Sequence, residues 1–145
     1  MIYNNIDINE SKVRGFIMKI IYVVAAIIKD KDTILATRRG YGEFVNMWEF
    51  PGGKIEIGET NEEALIREIK EELTITISVD TFVKTVDYDY PSFHLTMHCF
   101  LCTQINGTLT LNEHNDAKWI HKSELDQLNW LPADLELLQE LKKYL

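Results

Sequence analysis

The chain lacks the long apolar segments and leader patterns of membrane and exported proteins. No apolar run approaches the roughly 20 residues that a membrane-spanning helix needs, and the N-terminus has no basic stretch followed by an apolar one. Of the 145 residues, 46% are hydrophobic and 26% are charged, as is ordinary for a soluble globular protein. We therefore expect one cytoplasmic domain that forms its core without disulfides.

Positive charge is also scarce. Lys and Arg number 15 against 23 Asp and Glu, which gives a net charge of −8. Binding to DNA or RNA depends on neutralisation of many phosphates by Lys and Arg, so this balance argues against a nucleic-acid polymer as partner. A small phosphorylated substrate is compatible with it, because a bound metal ion inverts the local charge.

Cysteine is limited to Cys99 and Cys102, which have the C-x-x-C spacing of zinc and redox sites but no second cysteine pair. They lie in an extended run, residues 94–104, where alternation sends them to opposite faces of a sheet. We interpret them as buried strand thiols.

The order of apolar and polar segments predicts a mixed sheet with helices on both sides, which is an α/β fold. Residues 20–28 form a β-branched run typical of a buried central strand, and residues 33–37 are its hairpin partner. Strands are also predicted within 75–86, 93–104, 108–111 and 118–120. Residues 88–92 are predicted to form a turn or a bulge, Asn106-Gly107 is a predicted hairpin turn, and a helix is predicted to start at 123–126. A closing helix is predicted to direct Leu135, Leu138 and Leu141 inward.

One stretch concentrates acidic residues on a helix behind two glycines. Gly52 and Gly53 predict a tight turn that can come close to a ligand. Thr60 and Glu63 have the spacing of a capping box, which predicts that the helix begins at Thr60. Residues at helical spacing supply its apolar side: Ala64, Leu65, Ile69 and Leu73.

Three glutamates of this helix, Glu68, Glu71 and Glu72, project from one face. Like charges at that spacing destabilise an exposed helix by about 0.2–0.5 kcal/mol per pair. Their retention indicates a cation between them, and a hard divalent ion with oxygen ligands fits best: Mg²⁺, with Mn²⁺ as the alternative. The chain has no Gly-x-Gly-x-x-Gly after a strand, no Walker-type lysine and no evident Ser or Cys nucleophile. These features predict hydrolysis of a phosphoanhydride by metal-activated water.

The same stretch resembles the Nudix box. The match consists of the box glycine, the acidic and arginine positions after it, and the closing isoleucine: Gly53, Glu59, Arg67, Glu68, Ile69, Glu71, Glu72 and Ile75. Thr74 departs from the pattern, which has glycine there. The resemblance extends over nearly the whole chain and implies the Nudix fold, an α/β/α sandwich. We assign residues 18–145 to this domain, residues 53–75 to the box and residues 1–17 to an N-terminal tail.

The resemblance implies roles for the box residues. Glu68, Glu71 and Glu72 would bind the metal, completed by a carbonyl of Gly52 or Gly53, and Glu113 would join them from a later loop. Arg67 would orient the carboxylates, and Glu59 would fix the turn or the metal shell. The general base stays open among Glu68, Glu71 and Glu113.

The substrate prediction rests on the similarity to the MutT branch, which cleaves nucleoside triphosphates to monophosphate and pyrophosphate. The resemblance implies that several residues contact substrate: Arg39, Glu49, Phe50, Gly52, Lys54, Tyr90 and Asp134. Arg39 is expected to grip phosphate with its guanidinium fork. Oxidised-guanine members of the branch carry asparagine where this chain has Asp134, and an ionised carboxylate only accepts hydrogen bonds. This favours (d)CTP and modified cytosines slightly over 8-oxo-dGTP, although Asp134 could instead be a charge favoured at a helix N-terminus.

Two other functions fit the pattern less well. One is hydrolysis of a nucleoside diphosphate linked to another group, such as ADP-ribose; the other is a nucleotide-binding module without catalysis. The complete carboxylate set argues against the second. Either a monomer or a homodimer fits the sequence.

Thr74 bears on the backbone rather than on a ligand. Glycine at this place relieves the strain of a left-handed residue after the helix. Threonine there costs about 1–2 kcal/mol if that conformation is kept; a negative φ would mean that the helix ends differently.

Overall fold

Strand β2, Phe16–Asp30, holds the sheet together. In the computed structural model, which describes residues 9–13 and 16–145 and the side chains from residue 18 onward, β2 pairs in parallel with β7 (Phe93–Gly107). Along its other edge it pairs antiparallel with three strands in turn, which are β1 (Asn9–Val13), β5 (Gly52–Lys54) and β3 (Thr33–Arg39). The sheet is therefore mixed, as predicted.

The remaining elements complete an eight-stranded sheet with helices. Strands β4 (Trp48–Glu49) and β8 (His114–His121) pair with β3, and β6 (Ile75–Tyr90) pairs with β7. Helix α1 spans Asn61–Leu73 and α2 spans Pro132–Leu141, with short 3₁₀ helices at Lys122–Gln127 and Lys142–Tyr144. No helix of the described residues is long and apolar enough to cross a membrane.

Each face of the sheet packs against one α-helix. Alternate residues of β2 point to opposite faces, so Val23, Ala25 and Ile27 join the core that contains Leu137 and Leu141 of α2. The other set of β2 side chains meets α1 in a second core, which includes Val24, Ala26, Ile28, Leu65, Ile69 and Leu73. This arrangement confirms the α/β/α sandwich.

The two cysteines lie in separate cores. Cys99 is in the α2-side core and Cys102 in the α1-side core, and both are fully buried as free thiols. Burial raises the pKa of both thiols, that of Cys102 to about 12. The interpretation as buried strand thiols is confirmed.

Part of the predicted N-terminal tail is a strand. Residues 9–13 pair antiparallel with residues 16–20 of β2, whereas the sequence pattern indicated a tail. The sequence of this strand, NESKV, has no apolar alternation, and its pairing uses backbone groups, which every residue carries. Residues 1–8 and 14–15 lie outside the described residues, so the domain division at residue 18 stays a prediction.

The glycine pair does not form the predicted tight turn. Gly52 and Gly53 belong to β5 and pair with Ala25 and Val24 of β2. A side chain at Gly52 would lie 1.9 Å from the carbonyl oxygen of Val24. Gly52 is therefore needed for the close approach of two backbones rather than for a turn.

Two other predicted turns differ in extent from the structure, and the one within 88–92 is confirmed at its end. Strand β6 continues through Tyr90, so that only Pro91-Ser92 turns before β7. Strand β7 runs to Gly107, and residues 108–111 are not a strand. They do not form a hairpin because Thr110 instead donates its N–H to the carbonyl of Leu73 at the end of α1.

The last segments differ in detail from the prediction. The predicted helix at 123–126 is the 3₁₀ helix of residues 122–127. In α2, Leu138 and Leu141 face the core as predicted, but Leu135 is 56% exposed. Leu137 is buried instead of Leu135, because the helix begins at Pro132 and its buried side starts with Ala133 and Asp134.

Candidate active site

The start of α1 follows the capping box. The hydroxyl of Thr60 accepts the N–H of Glu63 at 3.1 Å, and Thr60 is the N-cap of the helix. The predicted helix start is confirmed. The cap fixes where the helix begins and therefore which side of it carries the acidic residues.

The three glutamates of α1 lie in different environments. Glu72 is 2% exposed, whereas the side chain of Glu71 is 60% exposed and that of Glu68 is 15% exposed. The helix therefore buries one carboxyl group fully, covers a second and leaves the third in solvent.

Glu68 and Glu72 interact directly. Burial raises the pKa of both carboxyl groups. The charge of Glu71 raises the pKa of Glu68 further, and the charges of Glu68, Glu49 and Glu113 raise that of Glu72. The two residues stand one helical turn apart on the same face of α1, where burial disfavours two negative charges side by side. A cation bound between them would offset that cost.

Arg67 ties the acidic residues together. Its Nε and Nη2 donate to both oxygens of Glu59 at 2.7 and 2.8 Å, and Nη1 donates to Glu68 at 2.9 Å and to Glu71 at 3.4 Å. Nη2 also donates to the carbonyl of Lys54 at 3.0 Å. Arg67 thus occupies the place of the orienting residue that the resemblance implies.

Glu59 fixes the turn before the helix. Its Oε1 accepts the N–H of Glu56 at 2.9 Å, and the hydrogen bonds from Arg67 lower the pKa of its carboxyl group. Gly53 lies against the next carboxyl group, because a side chain there would come within 2.3 Å of the carboxyl carbon of Glu68. Gly53 is thus next to the acidic pair, as a backbone ligand would have to be.

The C-terminus of α1 is tied to the segment that carries Glu113. Asn112 donates its N–H to the carbonyl of Glu72 and its side-chain amide to the carbonyl of Glu71, at 3.1 and 2.7 Å. Sequence reasoning missed Asn112 because the carbonyls that it binds are about 40 residues away in the chain. These bonds satisfy helix-end carbonyls and bring residue 113 to the acidic face.

Thr74 keeps the left-handed conformation. Its φ is 60° and its ψ is 26°, so the helix ends as the family pattern requires but with a β-branched residue. The hydroxyl of Thr74 accepts the side-chain amide of Asn112 at 3.1 Å. That bond holds the threonine to the segment before Glu113.

Replacing Thr74 with glycine should raise the free energy of unfolding by about 1 kcal/mol, because glycine adopts this conformation without strain. Urea denaturation followed by circular dichroism measures the change. The matched control is Thr108→Gly, outside any left-handed position, which should not stabilise the protein. Equal or lower stability of Thr74→Gly would show that the bond from Asn112 outweighs the strain.

Glu113 and Tyr41 face the buried end of the site. Glu113 is half-buried and acts electrostatically on Glu72. The pKa of the Tyr41 hydroxyl is raised by burial and then by Glu113 and Glu72. The loop after β3 therefore lies next to the acidic residues, and Tyr41 is a second neighbour of the site that sequence reasoning missed.

Arg39 and Glu49 form a buried ion pair. Nε and Nη2 of Arg39 donate to the two oxygens of Glu49 at 2.7 and 3.0 Å, and the side chains are 7% and 1% exposed. Arg39 thus holds Glu49 with the fork that was predicted to grip phosphate. The structure brings these two predicted residues together, with Glu49 within electrostatic range of Glu72.

His114 lies beside this pair. Its side chain is 1% exposed, and its Nε2 is 4.0 Å from Oε2 of Glu49. Within the described part of the chain, neither ring nitrogen has a hydrogen-bond partner. Leaving a buried polar group in that state costs about 1–3 kcal/mol. Burial lowers the pKa of the imidazole to about 4, so the ring is neutral near pH 7.

Asp134 is buried within electrostatic range of Glu49. Its Oδ1 accepts the N–H of Phe50 at 2.9 Å, and it is 3% exposed. Burial, followed by the charge of Glu49, raises the pKa of its carboxyl group to about 8. Asp134 lies in the first turn of α2, but a carboxyl group that is mostly neutral near pH 7 gains little from the helix dipole.

Phe50, Tyr90 and Lys54 line or support this region. The ring of Phe50 is fully buried and stacks on Trp130, so only its backbone is directed to Asp134. The hydroxyl of Tyr90 accepts the N–H of Ala133 at 3.2 Å and so supports the start of α2. Lys54 is half-buried next to Gly53.

In the part of the chain that the structure describes, no three His, Cys, Asp or Glu side chains form a group that could hold a metal ion. Glu68 and Glu71 instead both accept hydrogen bonds from Nη1 of Arg67.

Comparison with known proteins gives consistent matches. The pattern described as NUDIX domain matches residues 18–141. The chain is 37% identical to the CTP pyrophosphohydrolase of Escherichia coli (strain K12) over 123 residues, 84% of this chain and 91% of that protein. It is 32% identical to the 8-oxo-dGTP diphosphatase of the same strain over 128 residues, 87% of this chain and 99% of that protein. The solution structure of the E. coli ORF135 protein superimposes with a TM-score of 0.78 at 35% identity, covering 87% of this chain and 91% of that one.

Proposed function

The chain belongs to the NUDIX domain family and is a Nudix hydrolase, and from this premise we propose that it cleaves a nucleoside triphosphate to the monophosphate and pyrophosphate. The catalytic unit is residues 18–145. The single observation that carries the proposal is the acidic face of α1, where Glu72 is 2% exposed and Glu68, 15% exposed, accepts a hydrogen bond from Arg67 at 2.9 Å. A divalent cation held there would offset the cost of burying two carboxylates side by side.

Nudix hydrolases use a divalent metal ion, and we propose Mg²⁺, with Mn²⁺ as a substitute. The donors are all oxygens, and the two neighbouring carboxyl groups fit an ion that takes one or two protein carboxylates together with substrate phosphates. Glu68 and Glu72 would hold it, with Glu71, Glu113 and a carbonyl of Gly52 or Gly53 as further ligands. When bound, Mg²⁺ supplies Lewis-acid stabilisation and a more acidic water.

The protein groups do the remaining work. Arg67 keeps the Glu68 carboxyl group in place through the bond to Nη1. A carboxylate among Glu68, Glu71 and Glu113 would accept the proton of the attacking water. Because Glu72 is buried, its carboxyl group is shielded from bulk solvent.

The base-recognition proposal centres on Asp134, with Tyr90 and the Phe50 backbone as its support. The preference for cytosine nucleotides that the sequence predicts assumed an ionised Asp134. A carboxyl group with a pKa of about 8 is mostly neutral at pH 7 and offers a donor as well as an acceptor, as asparagine does. We therefore infer that oxidised guanine and cytosine nucleotides are both substrates near neutral pH. The curated relatives named for CTP and for 8-oxo-dGTP are consistent with this pair.

The test is pyrophosphate release from a panel of nucleotides with Mg²⁺ or Mn²⁺. We expect turnover of dCTP, CTP and 8-oxo-dGTP, and little turnover of ADP-ribose. A protein that cleaves neither class of triphosphate would not have the proposed activity, and phosphate or nucleoside-monophosphate analysis would show any other bond that it cuts.

Replacing Asp134 with asparagine should remove the pH dependence of base selectivity. In the wild type, ionisation above pH 8 removes the donor, so the ratio of kcat/KM for 8-oxo-dGTP to that for dCTP should fall about tenfold between pH 7 and pH 9. Asparagine keeps donor and acceptor at every pH, and its ratio should stay constant. The control Asp126→Asn changes an exposed aspartate and should follow the wild type. Parallel profiles for wild type and Asp134→Asn would exclude this residue from base recognition.

A further inference from the structure

A β-bulge places His114 in the site. Strand β8 pairs Asp116 with Arg38, but the next pair is His114 with Arg39, so Asn115 is an extra residue. Regular pairing would have placed Asn115 opposite Arg39. Bulges next to active sites re-aim side chains, and this one brings a buried imidazole opposite a buried guanidinium.

No described residue forms a hydrogen bond with the imidazole of His114. Both of its ring nitrogens are buried. The Oε2 atom of Glu49 lies 4.0 Å from Nε2. That separation is about 1 Å longer than a hydrogen bond, so a small movement of the Glu49 carboxylate closes it.

Glu49 holds the edge of Arg39 that a substrate would use. Nε and Nη2 form the planar fork that matches a phosphate or a carboxylate, and both atoms donate to Glu49. Arg39 can therefore bind substrate with this edge only if the carboxylate of Glu49 moves. In a buried setting a carboxylate that leaves its partner needs a new donor.

We propose that His114 is a positioning residue: when nucleotide binds, the carboxylate of Glu49 moves from Arg39 to the Nε2–H of His114, and the freed edge of Arg39 binds the substrate. The inference rests on the proposed function, since it requires Arg39 to contact a nucleotide. No bond is made or broken covalently, and the ring stays neutral throughout. His114 acts through Glu49 and does not touch the reacting atoms.

Kinetics of His114 variants test the exchange. His114→Phe keeps the ring volume and removes both nitrogens, and it should raise KM about tenfold while kcat changes less than about twofold, because binding is lost and chemistry is not. In His114→Gln the amide nitrogen reaches the place of Nε2, and KM should return toward the wild-type value. In His114→Asn the amide reaches only the place of Nδ1, and KM should stay high.

A double-mutant cycle with Glu49→Gln separates this role from a structural one. If His114 acts through the Glu49 carboxylate, His114→Phe should not raise KM further in the Glu49→Gln background. A purely structural role would raise it in both backgrounds. The control His98→Phe changes a half-buried histidine of β7 and should leave KM unchanged.

The outcomes distinguish the proposals. A wild-type protein that turns over no triphosphate would end the proposed function and this inference with it. An active wild type with the same KM in His114→Phe would overturn only the role of His114, and so would an equal KM increase in both backgrounds. Should His114→Phe fail to fold by near-ultraviolet circular dichroism, the Gln and Asn variants decide, because equal KM values for these two overturn the exchange.

Discussion

Replacing Glu72 with glutamine lowers the rate of pyrophosphate release by about a thousandfold or more and leaves the protein folded. Glu72 is the most buried carboxyl group on the acidic face of α1, and glutamine offers a neutral amide in the same volume. A metal ion held by Glu72 would stabilise transition-state charge by several kcal/mol, and each ~1.4 kcal/mol is a factor of ten in rate. Pyrophosphate release with dCTP at saturating Mg²⁺ measures the loss.

The stability of Glu72→Gln should not fall with its activity but should stay equal or rise. Burial raises the pKa of Glu72 in the folded protein, so the unfolded chain loses this proton first as the pH rises. Stability from the neutral carboxyl group is thus present at acidic pH and is lost as the pH rises through the folded pKa. Glu72→Gln has no proton to lose and should unfold at a Tm equal to or above that of the wild type near pH 8.

Glu62→Gln is the matched control, because it makes the same change in the exposed first turn of the same helix. Its activity should lie within about twofold of the wild type, since exposed substitutions away from special features have small effects. Full activity of Glu72→Gln would refute the assignment of this residue to the metal.

Replacing Arg67 with lysine should lower kcat about a hundredfold even though the charge is kept. Lysine has no planar fork, so it cannot bind both oxygens of Glu59 and also reach Glu68 and the carbonyl of Lys54. The Glu68 carboxylate would then move, and a displacement of about 1 Å at a reacting group costs about a hundredfold in rate. Steady-state kinetics with dCTP and a thermal melt measure the two consequences.

The control for Arg67 is Arg38→Lys. Arg38 is also half-buried, but among the described residues its side chain makes one hydrogen bond, from Nε to the side-chain oxygen of Asn115 at 2.7 Å. Its replacement should change kcat less than about threefold. Wild-type kcat in Arg67→Lys would mean that only the charge of this residue matters and that its geometry does not orient the carboxylates.

The box and the helix after it were predictable because each feature is local. A capping box, helical spacing and three glutamates on one face are read from neighbouring residues, and the observed N-cap at Thr60 agrees with them. The sandwich followed from the same logic, since the β-branched run of β2 needs cover on both faces.

The missed features depend on partners that are distant in sequence. Gly52 and Gly53 look like a turn in isolation, and only the register against β2 makes them a strand. Residues 108–112 look like a hairpin arm, but the open carbonyls at the end of α1 take their N–H groups instead. His114 could not be recognised because the bulge that turns it inward is a property of pairing between β3 and β8.

The sequence predicted which residues contact substrate but not the protonation state or the partners of their side chains. Asp134 was weighed as an ionised acceptor, whereas full burial beside Glu49 makes it a mostly neutral group. Arg39 was expected to have its fork open, whereas Glu49 occupies it. Sequence contains the residue types, but the desolvation that sets their protonation comes from the folded core.

The separate burial of Cys99 and Cys102 makes this protein its own probe of unfolding. A thiol reacts as the thiolate, and burial suppresses that form in both cores. A thiol reagent therefore labels each cysteine only when the layer above it opens. Equal labelling rates would mean that the α1 and α2 layers open together, and unequal rates would identify the layer that detaches first from the sheet.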